Sequence, residues 1–481
     1  MLAYSCNHLP GIRVTKKSEN RDSLIRVRRR VQVVFGLPVI SCRAHVARAL
    51  RYSRPPHFTF HAIQPGLNQR PCVNISIVST PSNFSLKKIA VAAYGPSLLF
   101  GMVDGAIYPI IALTARGLGA SIAEAGIIVA LTGVGALVNN IPASLLTARF
   151  GERRAMVGAA LLAIIALLLC VSASTPLVLG IGIFMIGMAQ AVFMLARQTY
   201  LTDAVPVSMR ARALSTLGGV VRIGLFISPF ISAALMQLMG LQGAYWMASM
   251  AAAAAGALAF TLPDLKSGNR QGAATATQDA AATPGTASSQ NRKIGHLLRE
   301  HRRSFATLGI ACLLVAAMRT SRQIVIPLWA AHINLDAATV SLVYGAMGAI
   351  DMLLFYPAGK VMDRYGRQWA ALPCLLIMGT ALLLMPFTTQ FWSFVLVVML
   401  LGLGNGIGSG LVITVGADCS PPHARPQFLG LWRFVTDIGT CGGPLVVSAI
   451  AATAGLASGI FAVSAMGYTA AAIFWKWLPR S

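Results

Sequence analysis

The stretch Gly359-Lys-Val-Met-Asp-Arg-Tyr-Gly-Arg367 lies between two long apolar runs of the chain, with Pro357 just upstream. A partial copy of its surroundings occurs 215 positions earlier. Seven polar, Gly or Pro positions match at this one offset over about 90 residues: Pro142 with Pro357, Arg149 with Arg364, Gly151 with Gly366, Asp203 with Asp418, Arg210 with Arg425, Gly224 with Gly439, and Pro229 with Pro444. A repeat of this length indicates that the chain consists of two related halves.

A G-x-x-x-D-R-x-G-R loop between the second and third apolar segments of a six-segment half resembles the characteristic loop of the major facilitator superfamily. The resemblance covers residues 88 to 478, and the chain is most similar to the bacterial drug/proton antiporters of that superfamily. In the first-half copy of the loop, Ala148 stands where the family usually has Asp. The resemblance implies an all-α integral membrane protein with twelve transmembrane helices in two pseudo-symmetric six-helix bundles.

The composition independently indicates a membrane protein. Apolar residues make up 56% of the 481 residues, charged residues only 11%, and the mean hydropathy is +0.68. Soluble proteins have about 25% charged residues because a large surface must be solvated. The net charge of +25 does not indicate nucleic-acid binding, because the basic residues are not interleaved with aromatic residues on one face.

The composition also argues against metal sites, disulfides and nucleotide hydrolysis. The eight cysteines show no C-x-x-C spacing and have no histidines at ligand spacing, so we expect neither a metal site nor a disulfide framework. No Walker loop is present, which excludes ATP as the energy source. We therefore expect no cofactor and no enzymatic activity.

The first 87 residues form a basic N-terminal extension that we expect to be disordered. Residues 1 to 88 contain 15 Lys and Arg against 2 Asp and Glu. The one apolar run, residues 31–40, is too short to span a membrane and lacks a small-residue cleavage site, which disfavours a signal peptide. The extension is open to three interpretations: a basic arm attracted to anionic lipid, an upstream stretch wrongly joined to the gene, or an organelle transit peptide.

Twelve apolar segments of about 20 residues follow, each long enough to cross a bilayer as a helix. They are residues 89–112, 123–146, 155–171, 177–201, 213–238, 244–262, 305–330, 338–361, 369–388, 392–415, 428–451 and 454–477. We assign residues 88–263 to an N-terminal bundle, 264–303 to a cytoplasmic linker, and 304–481 to a C-terminal bundle. The loops after even-numbered segments carry nearly all the loop arginines, which predicts that both termini are cytoplasmic, in the cell inner (plasma) membrane.

Ionisable residues inside membrane segments are costly and mark functional sites by default. Six such residues are candidates for proton coupling or for cavity charges: Asp104, Arg222, Arg319, Arg322, Asp351 and Asp437. The offset of 215 places Arg222 opposite Asp437 in the repeat, so equivalent positions carry opposite charge. Arg197 lies about one turn from the inner surface, where we expect it to snorkel.

The family fold, carried over by resemblance, places segments 1, 4, 7 and 10 around a central cavity and packs segment 5 on 8 and segment 2 on 11 across the seam. We therefore expect Arg222 to pair with Asp351, Asp104 to face Arg322, and Asp437 to face segment 2 near Asn139 and Asn140. An acid that gains a proton when its partner moves away can couple proton entry to substrate exit. The alternative is a set of structural ion pairs that fix helix register.

The Gly359–Arg367 loop contributes Gly359, Asp363, Arg364, Gly366 and Arg367 as gate residues. Asp363 can accept hydrogen bonds from Arg364 or Arg367, or lie at the positive end of a neighbouring helix. In the family such a loop holds the cytoplasmic gate shut, and Ala148 should weaken the first-half equivalent. The alternative role is to fix topology and turn geometry only.

Glycines and uncharged polar residues complete the candidate features. Gly439-Thr-Cys-Gly-Gly443-Pro444 resembles a motif that antiporters carry in segment 5, but segment 5 here has Ser228 where that motif has Gly. Gly402, Gly406 and Gly410 recur every four residues in segment 10, as in close helix packing. Residues that can face the cavity and touch substrate are Tyr108, Gln190, Gln323, Trp329 and Asn405.

The function that we expect is proton-coupled efflux of small amphipathic compounds by alternating access, with small molecules, protons and membrane lipid as partners and the chain as a monomer. Two alternatives stay open. One is proton-linked transport of a single metabolite such as a sugar, an organic acid or a siderophore. The other is a membrane receptor that has the fold but does not transport.

Overall fold

The computed structural model describes residues 86–205, 210–262, 296, 299–421 and 425–478. The predictions for the N-terminal extension, for the centre of the linker and for its basic helix therefore fall largely outside the described residues. Every long element in the described ranges is a helix and none is a strand, which confirms the predicted all-α membrane fold. Eleven helices are long and apolar enough to cross a membrane, and a bent pair of helices makes the twelfth span.

We label the twelve spans α1 to α12 in chain order. The first half contains α1 (two pieces, Leu86–Ile107 and Ile111–Gly117), α2 (Ile122–Phe150), α3 (Glu152–Val171), α4 (Pro176–Ala204), α5 (Arg210–Met239) and α6 (Gln242–Phe260). The second half contains α7 (Arg302–His332), α8 (Ala337–Tyr365), α9 (Gln368–Phe387), α10 (Phe391–Cys419, broken between Ile407 and Leu411), α11 (Arg425–Ala454) and α12 (Leu456–Trp477).

The helices pack in the same pattern in both halves. In the first half α1 packs on α5 and α6, while α4 packs on α2 and α3. In the second half α7 packs on α11 and α12, while α10 packs on α8 and α9. Contacts between the halves are dominated by α5 on α8 and α2 on α11, which is the seam that the resemblance predicted.

Loop geometry follows the repeat as closely as helix packing does. Residues with positive φ recur at the offset of 215 as Gly119 and Asn334, Gly151 and Gly366, and Gly240 and Gly455. Ser121 caps α2 by accepting a hydrogen bond from the Glu124 amide at 3.2 Å, and Asp336, at the equivalent position, caps α8 by accepting from the Thr339 amide at 3.0 Å. The hydrogen bonds from Thr339 hold the pKa of Asp336 below its usual range. The repeat is therefore present in three dimensions.

Glycines allow equivalent helices to approach closely in the two halves. A Cβ added at Gly224 would lie 2.2 Å from the Leu98 carbonyl oxygen, and one at Gly439 would lie 2.2 Å from the Leu313 carbonyl oxygen. Both pairs are related by the offset of 215. Ser228 stands where the other half has Gly443, and its hydroxyl donates to the Met102 carbonyl at 2.5 Å. The serine thus uses the same close approach of α5 to α1 for a hydrogen bond.

Three helix irregularities do not repeat between the halves. α1 breaks at Tyr108, directly before Pro109, and its two pieces are bent by 40°. α10 breaks before Gly410, which has φ 84°. α7 contains a π-helical turn over Phe305–Gly309. The predicted segments 89–112 and 392–415 each run across one of these breaks, because an apolar run does not record where the helix axis turns.

Candidate functional site

A cavity of about 610 Å³ lies between the two halves. Tyr108 and residues of α2 and α4 form one wall, and residues of α7 and α11 form the other. Polar groups in the lining include Tyr108, Thr132, Asn140, Gln190, Gln198, Thr320, Gln323, Arg433, Asp437 and Thr440. Val129, Leu137, Ile141, Met194, Leu195 and Phe434 supply apolar surface. Such mixed lining is typical of sites for small amphipathic ligands.

The cavity opens toward the face that carries the basic loops. Its lining reaches Gln198 in the last turns of α4 and Gly430 in the first turns of α11, and Ile141 and Phe434 are 75% and 52% exposed. The seam is closed toward the opposite face. There, a Cβ at Gly345 of α8 would lie 2.8 Å from the Phe230 ring of α5, and Gly126 of α2 is packed against Ser448 of α11.

Asp104 occupies a buried site beside the cavity and is only 7% exposed. Gln190 donates to its Oδ2 at 2.9 Å and to the Tyr108 hydroxyl at 3.0 Å, whereas Oδ1 has no hydrogen-bond partner. The positive charge acting on Asp104 is that of Arg197, which is 8% exposed. The expected contact of Asp104 with Arg322 is therefore not formed, and the expectation that Arg197 snorkels was wrong, because its guanidinium is drawn inward toward a buried acid.

Arg222 and Asp351 form the ion pair that was expected across the seam between α5 and α8. The Arg222 Nη1 to Asp351 Oδ1 distance is 3.0 Å. Asn405 donates to the other carboxylate oxygen at 2.9 Å, Arg222 also donates to the Ser409 hydroxyl, and its guanidinium lies over the Phe355 ring. α5, α8 and α10 are thus tied together at one polar junction inside the membrane.

Arg319 and Arg322 of α7 lie one turn apart beside this junction. Arg319 donates to the Gly408 carbonyl at 2.6 Å, while its Nε is buried without a partner. Arg322 donates to the Arg319 carbonyl at 3.0 Å, and its Nη1 lies 3.9 Å from the Met347 sulfur. Tyr344 and Asp351 of α8 lie near Arg322.

Asp437 lines the cavity together with Asn140 of α2, as expected, and lies 3.9 Å from Arg433 one turn earlier on α11. Asn139 points away from this acid and donates to the Met188 carbonyl of α4 at 2.9 Å. Arg433 lines the cavity but was missed in the sequence, because it lies near the start of an apolar run. Its spacing of four residues before Asp437 is the signal that would have found it.

Two of the five residues expected to face the cavity belong to other contacts. Tyr108, Gln190 and Gln323 line it. Asn405 is held by Asp351 instead, and Trp329 donates to the Thr388 hydroxyl of α9 at 2.8 Å. Tyr108 with Gln323 and Gln190 with Asn405 are equivalent pairs at the offset of 215, as are the oppositely charged Asp104 and Arg319. The repeat therefore places polar side chains at the same positions but gives them different partners.

The structure corrects the expectation of a loop over Gly359–Arg367: residues up to Tyr365 form the last turns of α8, and Gly366 and Arg367 make the turn into α9. Arg367 has most of the polar contacts of this stretch. It donates to Asp418 at the end of α10 at 3.0 Å, to Asp363 at 3.3 Å, and to the Met362 carbonyl at 3.0 Å. The hydrogen bond to Asp418 is the main cause that raises the pKa of the Arg367 guanidinium, so its charge is permanent. The Asp363 side chain is 80% exposed.

The other three gate residues, Gly359, Arg364 and Gly366, form no hydrogen bond or ion pair with Asp363. Gly366 has φ 92°, which turns the chain into α9, and the surroundings of Gly359 are open. Arg364 lies near the Tyr365 ring. Asp363 therefore accepts from Arg367, one of the two partners expected for it, and not from Arg364.

Comparison with known proteins identifies the family. The family model of the Major Facilitator Superfamily matches residues 97–321 and 308–481, which together make up most of the chain. The chain belongs to the major facilitator superfamily. Members of this superfamily are membrane transporters, so the twelve spans and the cavity between two halves are those of a transporter.

Individual relatives are distant. The Staphyloferrin B transporter of Staphylococcus aureus is 26% identical over 172 residues, which are 35% of this chain and 41% of that protein. The chain thus matches less than half the length of that relative. Solved structures with the same fold include the inward-open xylose transporter XylE from E. coli, with 16% identity and a TM-score of 0.63 over 82% of this chain and 97% of XylE.

Two further solved structures share the fold. The nucleoside transporter NupG gives 13% identity and a TM-score of 0.63 over 81% of this chain and 98% of NupG. A bacterial homolog of the human lysosomal transporter Spinster gives 14% identity and a TM-score of 0.66 over 81% of this chain and 96% of its own. At these identities the likeness concerns the fold alone, and it does not single out the drug/proton antiporters.

Proposed function

We propose that this superfamily member is a secondary transporter that couples proton movement to the export of small amphipathic compounds. The chain works as a monomer with both termini in the cytoplasm of the inner (plasma) membrane, and the cavity opens inward in the conformation described here. Loop charge supports this orientation, since the open face is the one that carries the arginine-rich loops. Mixed polar and apolar lining supports an amphipathic substrate.

The observation that supports proton coupling most is the incomplete hydrogen bonding of the buried Asp104 carboxyl group. Its carboxyl is buried next to the cavity with one oxygen hydrogen-bonded and the other without a partner. A buried charge with incomplete hydrogen bonding is costly, and gaining a proton removes that cost. Arg197 on α4 offsets the charge only while α4 keeps its present position beside α1. Rearrangement of the cavity can therefore be linked to proton uptake and release at this residue.

The coupling is tested by substrate-driven proton movement in reconstituted vesicles for the wild type, Asp104→Asn and Asp351→Asn. Asparagine keeps the size of the side chain and removes the proton site. We expect Asp104→Asn to allow downhill dye flux but to abolish its response to an imposed pH gradient, with Asp351→Asn impaired as well. Unchanged coupling in both variants would remove these acids from the mechanism. Absence of any flux in the wild type would leave a receptor as the better assignment.

A second candidate, transport of one metabolite, is favoured by the match to the Staphyloferrin B transporter over 172 residues. The two candidates differ in selectivity. A drug exporter should carry several unrelated compounds in response to a pH gradient, whereas a metabolite carrier should accept one compound and its close analogues. A panel of structurally unrelated dyes and metabolites, assayed with gradients of both directions, distinguishes the two and gives the direction of transport.

A further inference from the structure

The interior of the described helices contains more positive than negative charge. Away from the helix ends, the described residues include three acids, Asp104, Asp351 and Asp437, and five arginines. Arg197 acts on Asp104, Arg222 is paired with Asp351, and Arg433 lies next to Asp437. Arg319 and Arg322 remain, and neither forms an ion pair with a described residue.

These two guanidiniums are held by neutral groups, and Arg322 alone also lies near a carboxylate, that of Asp351. Arg319 is bonded to a backbone carbonyl and has a buried Nε without a partner. Arg322 has a carbonyl and a thioether as neighbours, and Asp351, which acts on it, already pairs with Arg222. Arg222 and Arg322 therefore share the single acid Asp351, and no described acid pairs with Arg319. Positive charge inside a membrane is retained at a high cost unless an anion compensates it.

The two arginines lie next to the cavity wall. Thr320 and Gln323, which line the cavity, directly follow Arg319 and Arg322 on α7. Tyr344 of α8 lies near Arg322 and also near Tyr108, itself a cavity residue. A ligand bound against Thr320, Gln323 and Tyr108 therefore lies beside the part of α7 that carries the two unpaired guanidiniums.

We infer that the transported compound is an amphipathic organic anion, whose oxyanion group compensates the charge of Arg319 and Arg322. Arginine is suited to this task because its planar donors match carboxylate and phosphate oxygens and its charge is permanent. The apolar body of the compound would lie along Leu137, Leu195 and Phe434, which line the cavity. A small inorganic anion would leave this apolar surface uncovered. The inference depends on the proposed transport function only for the statement that the bound anion is carried.

Binding is measured first, because it does not require transport. Purified full-length protein in detergent is tested by thermal shift with three amphipathic anions, carboxyfluorescein, octanoate and 1-naphthyl phosphate, and with the cation rhodamine 6G. We expect at least one anion to raise the unfolding temperature and the cation to have a smaller effect. Comparison of the carboxylates with the aryl phosphate identifies the preferred oxyanion.

Variants then locate the site. Because each variant removes a charge that would pair with the bound oxyanion, Arg319→Gln and Arg322→Gln should weaken anion binding by about tenfold or more. Arg319→Lys and Arg322→Lys keep the charge and should retain part of the binding, which separates loss of charge from loss of folding. Arg303→Gln is the matched control, since Arg303 lies at the exposed start of the same helix against Trp477.

Each outcome decides the inference. It is overturned if no anion stabilises the wild type, if the cation stabilises it more, or if the Gln variants bind anions as the wild type does. Vesicle flux separates this result from the proposed function. Transport of rhodamine 6G without any anion binding would leave the proposed function intact and refute the anion site. Anion binding without flux of any compound would support the site and refute transport.

Discussion

At the scale of single residues, the interior acids of this transporter differ in how completely hydrogen bonds and arginines neutralise their charge. Asp351 has both carboxylate oxygens bonded, one by Arg222 and one by Asn405. Asp104 has one oxygen bonded and one free. Asp437 is held only at 3.9 Å by an arginine that is itself largely exposed in the cavity. Asp351 therefore has the structural role among the three, whereas Asp104, buried with one oxygen unbonded, can change its protonation state more readily.

The pair formed by Arg222 and Asp351 should contribute strongly to stability. Removing one partner leaves an uncompensated charge inside the membrane, so Arg222→Ala and Asp351→Ala should each lower the free energy of unfolding by about 3 kcal/mol or more. Thermal unfolding of purified protein in detergent measures the change. Arg433→Ala, which removes an exposed partner of Asp437, is the control and should cost less than about 1 kcal/mol. Equal losses in the three variants would contradict this ranking.

At the scale of elements, the two halves repeat the same close approaches of one helix backbone to another. Gly224 meets Leu98 and Gly439 meets Leu313, each with room for a hydrogen only. α1 with α5 and α7 with α11 are helix pairs at equivalent positions that are held in this way, and each pair carries charged residues. Arg222 and Asp437 each lie two residues before one of these glycines, so the packing there fixes the helix segments that carry them.

Adding one methyl group tests this packing. Gly439→Ala would place a Cβ 2.2 Å from the Leu313 carbonyl oxygen, whereas Gly442→Ala, on the same helix, meets nothing within 4 Å. We expect Gly439→Ala to lower the free energy of unfolding by about 1–3 kcal/mol, as overpacking does, and Gly442→Ala to leave it unchanged. The yield of folded protein and its unfolding temperature measure both. A result with the two variants equally stable would show that α7 and α11 separate without cost.

We predict that the turn between α8 and α9, through Arg367, is needed for efficient transport. Arg367 connects this turn to Asp418 of α10, while Arg364 touches only an aromatic ring among the described residues. Arg367→Ala should reduce transport severalfold with normal insertion, since the end of α10 loses its connection to the turn, and Arg364→Ala should have the smaller effect. Initial rates of dye flux in vesicles with matched protein content measure the difference. A larger loss in Arg364→Ala would assign the gate to that residue instead.

At the scale of the whole molecule, the two halves are joined along two seams and enclose a cavity that opens on one face. The seam contacts Gly345 with Phe230 and Gly126 with Ser448 close the opposite face. Gly345 and Gly126 contribute no side chain to these contacts, so the halves can part there while the basic-loop face closes. This is the exchange that alternating access requires of a transporter built from two repeats.

The sequence predicted the large-scale features well, because they repeat or accumulate over many residues. The offset of 215 and the twelve spans follow from patterns longer than one helix turn, and the pairing of Arg222 with Asp351 followed from the helix arrangement that the family resemblance implied. The partners of Asp104, Asn405 and Trp329 did not follow, because they depend on the rotation of a single helix. Successive residues of an α-helix point about 100° apart, so a small error in the assumed rotation changes which neighbour a side chain meets. In nearly uniform apolar helices no polar stripe fixes that rotation, so Arg197 was placed at the surface although it faces a buried acid.

The most direct test of alternation is the distance across the seam on both faces of one protein. Spin-label pairs are introduced on a background without the eight native cysteines, at Gln198→Cys with Gly430→Cys on the basic-loop face, and at Glu124→Cys with Thr453→Cys on the opposite face. Distances are recorded by pulsed electron resonance in lipid at high and low pH, with and without a transported dye. We predict two populations, in which the first distance shortens as the second lengthens, and their ratio changes with pH. A single distance for each pair under all conditions would contradict the proposal that the two halves alternate around this cavity.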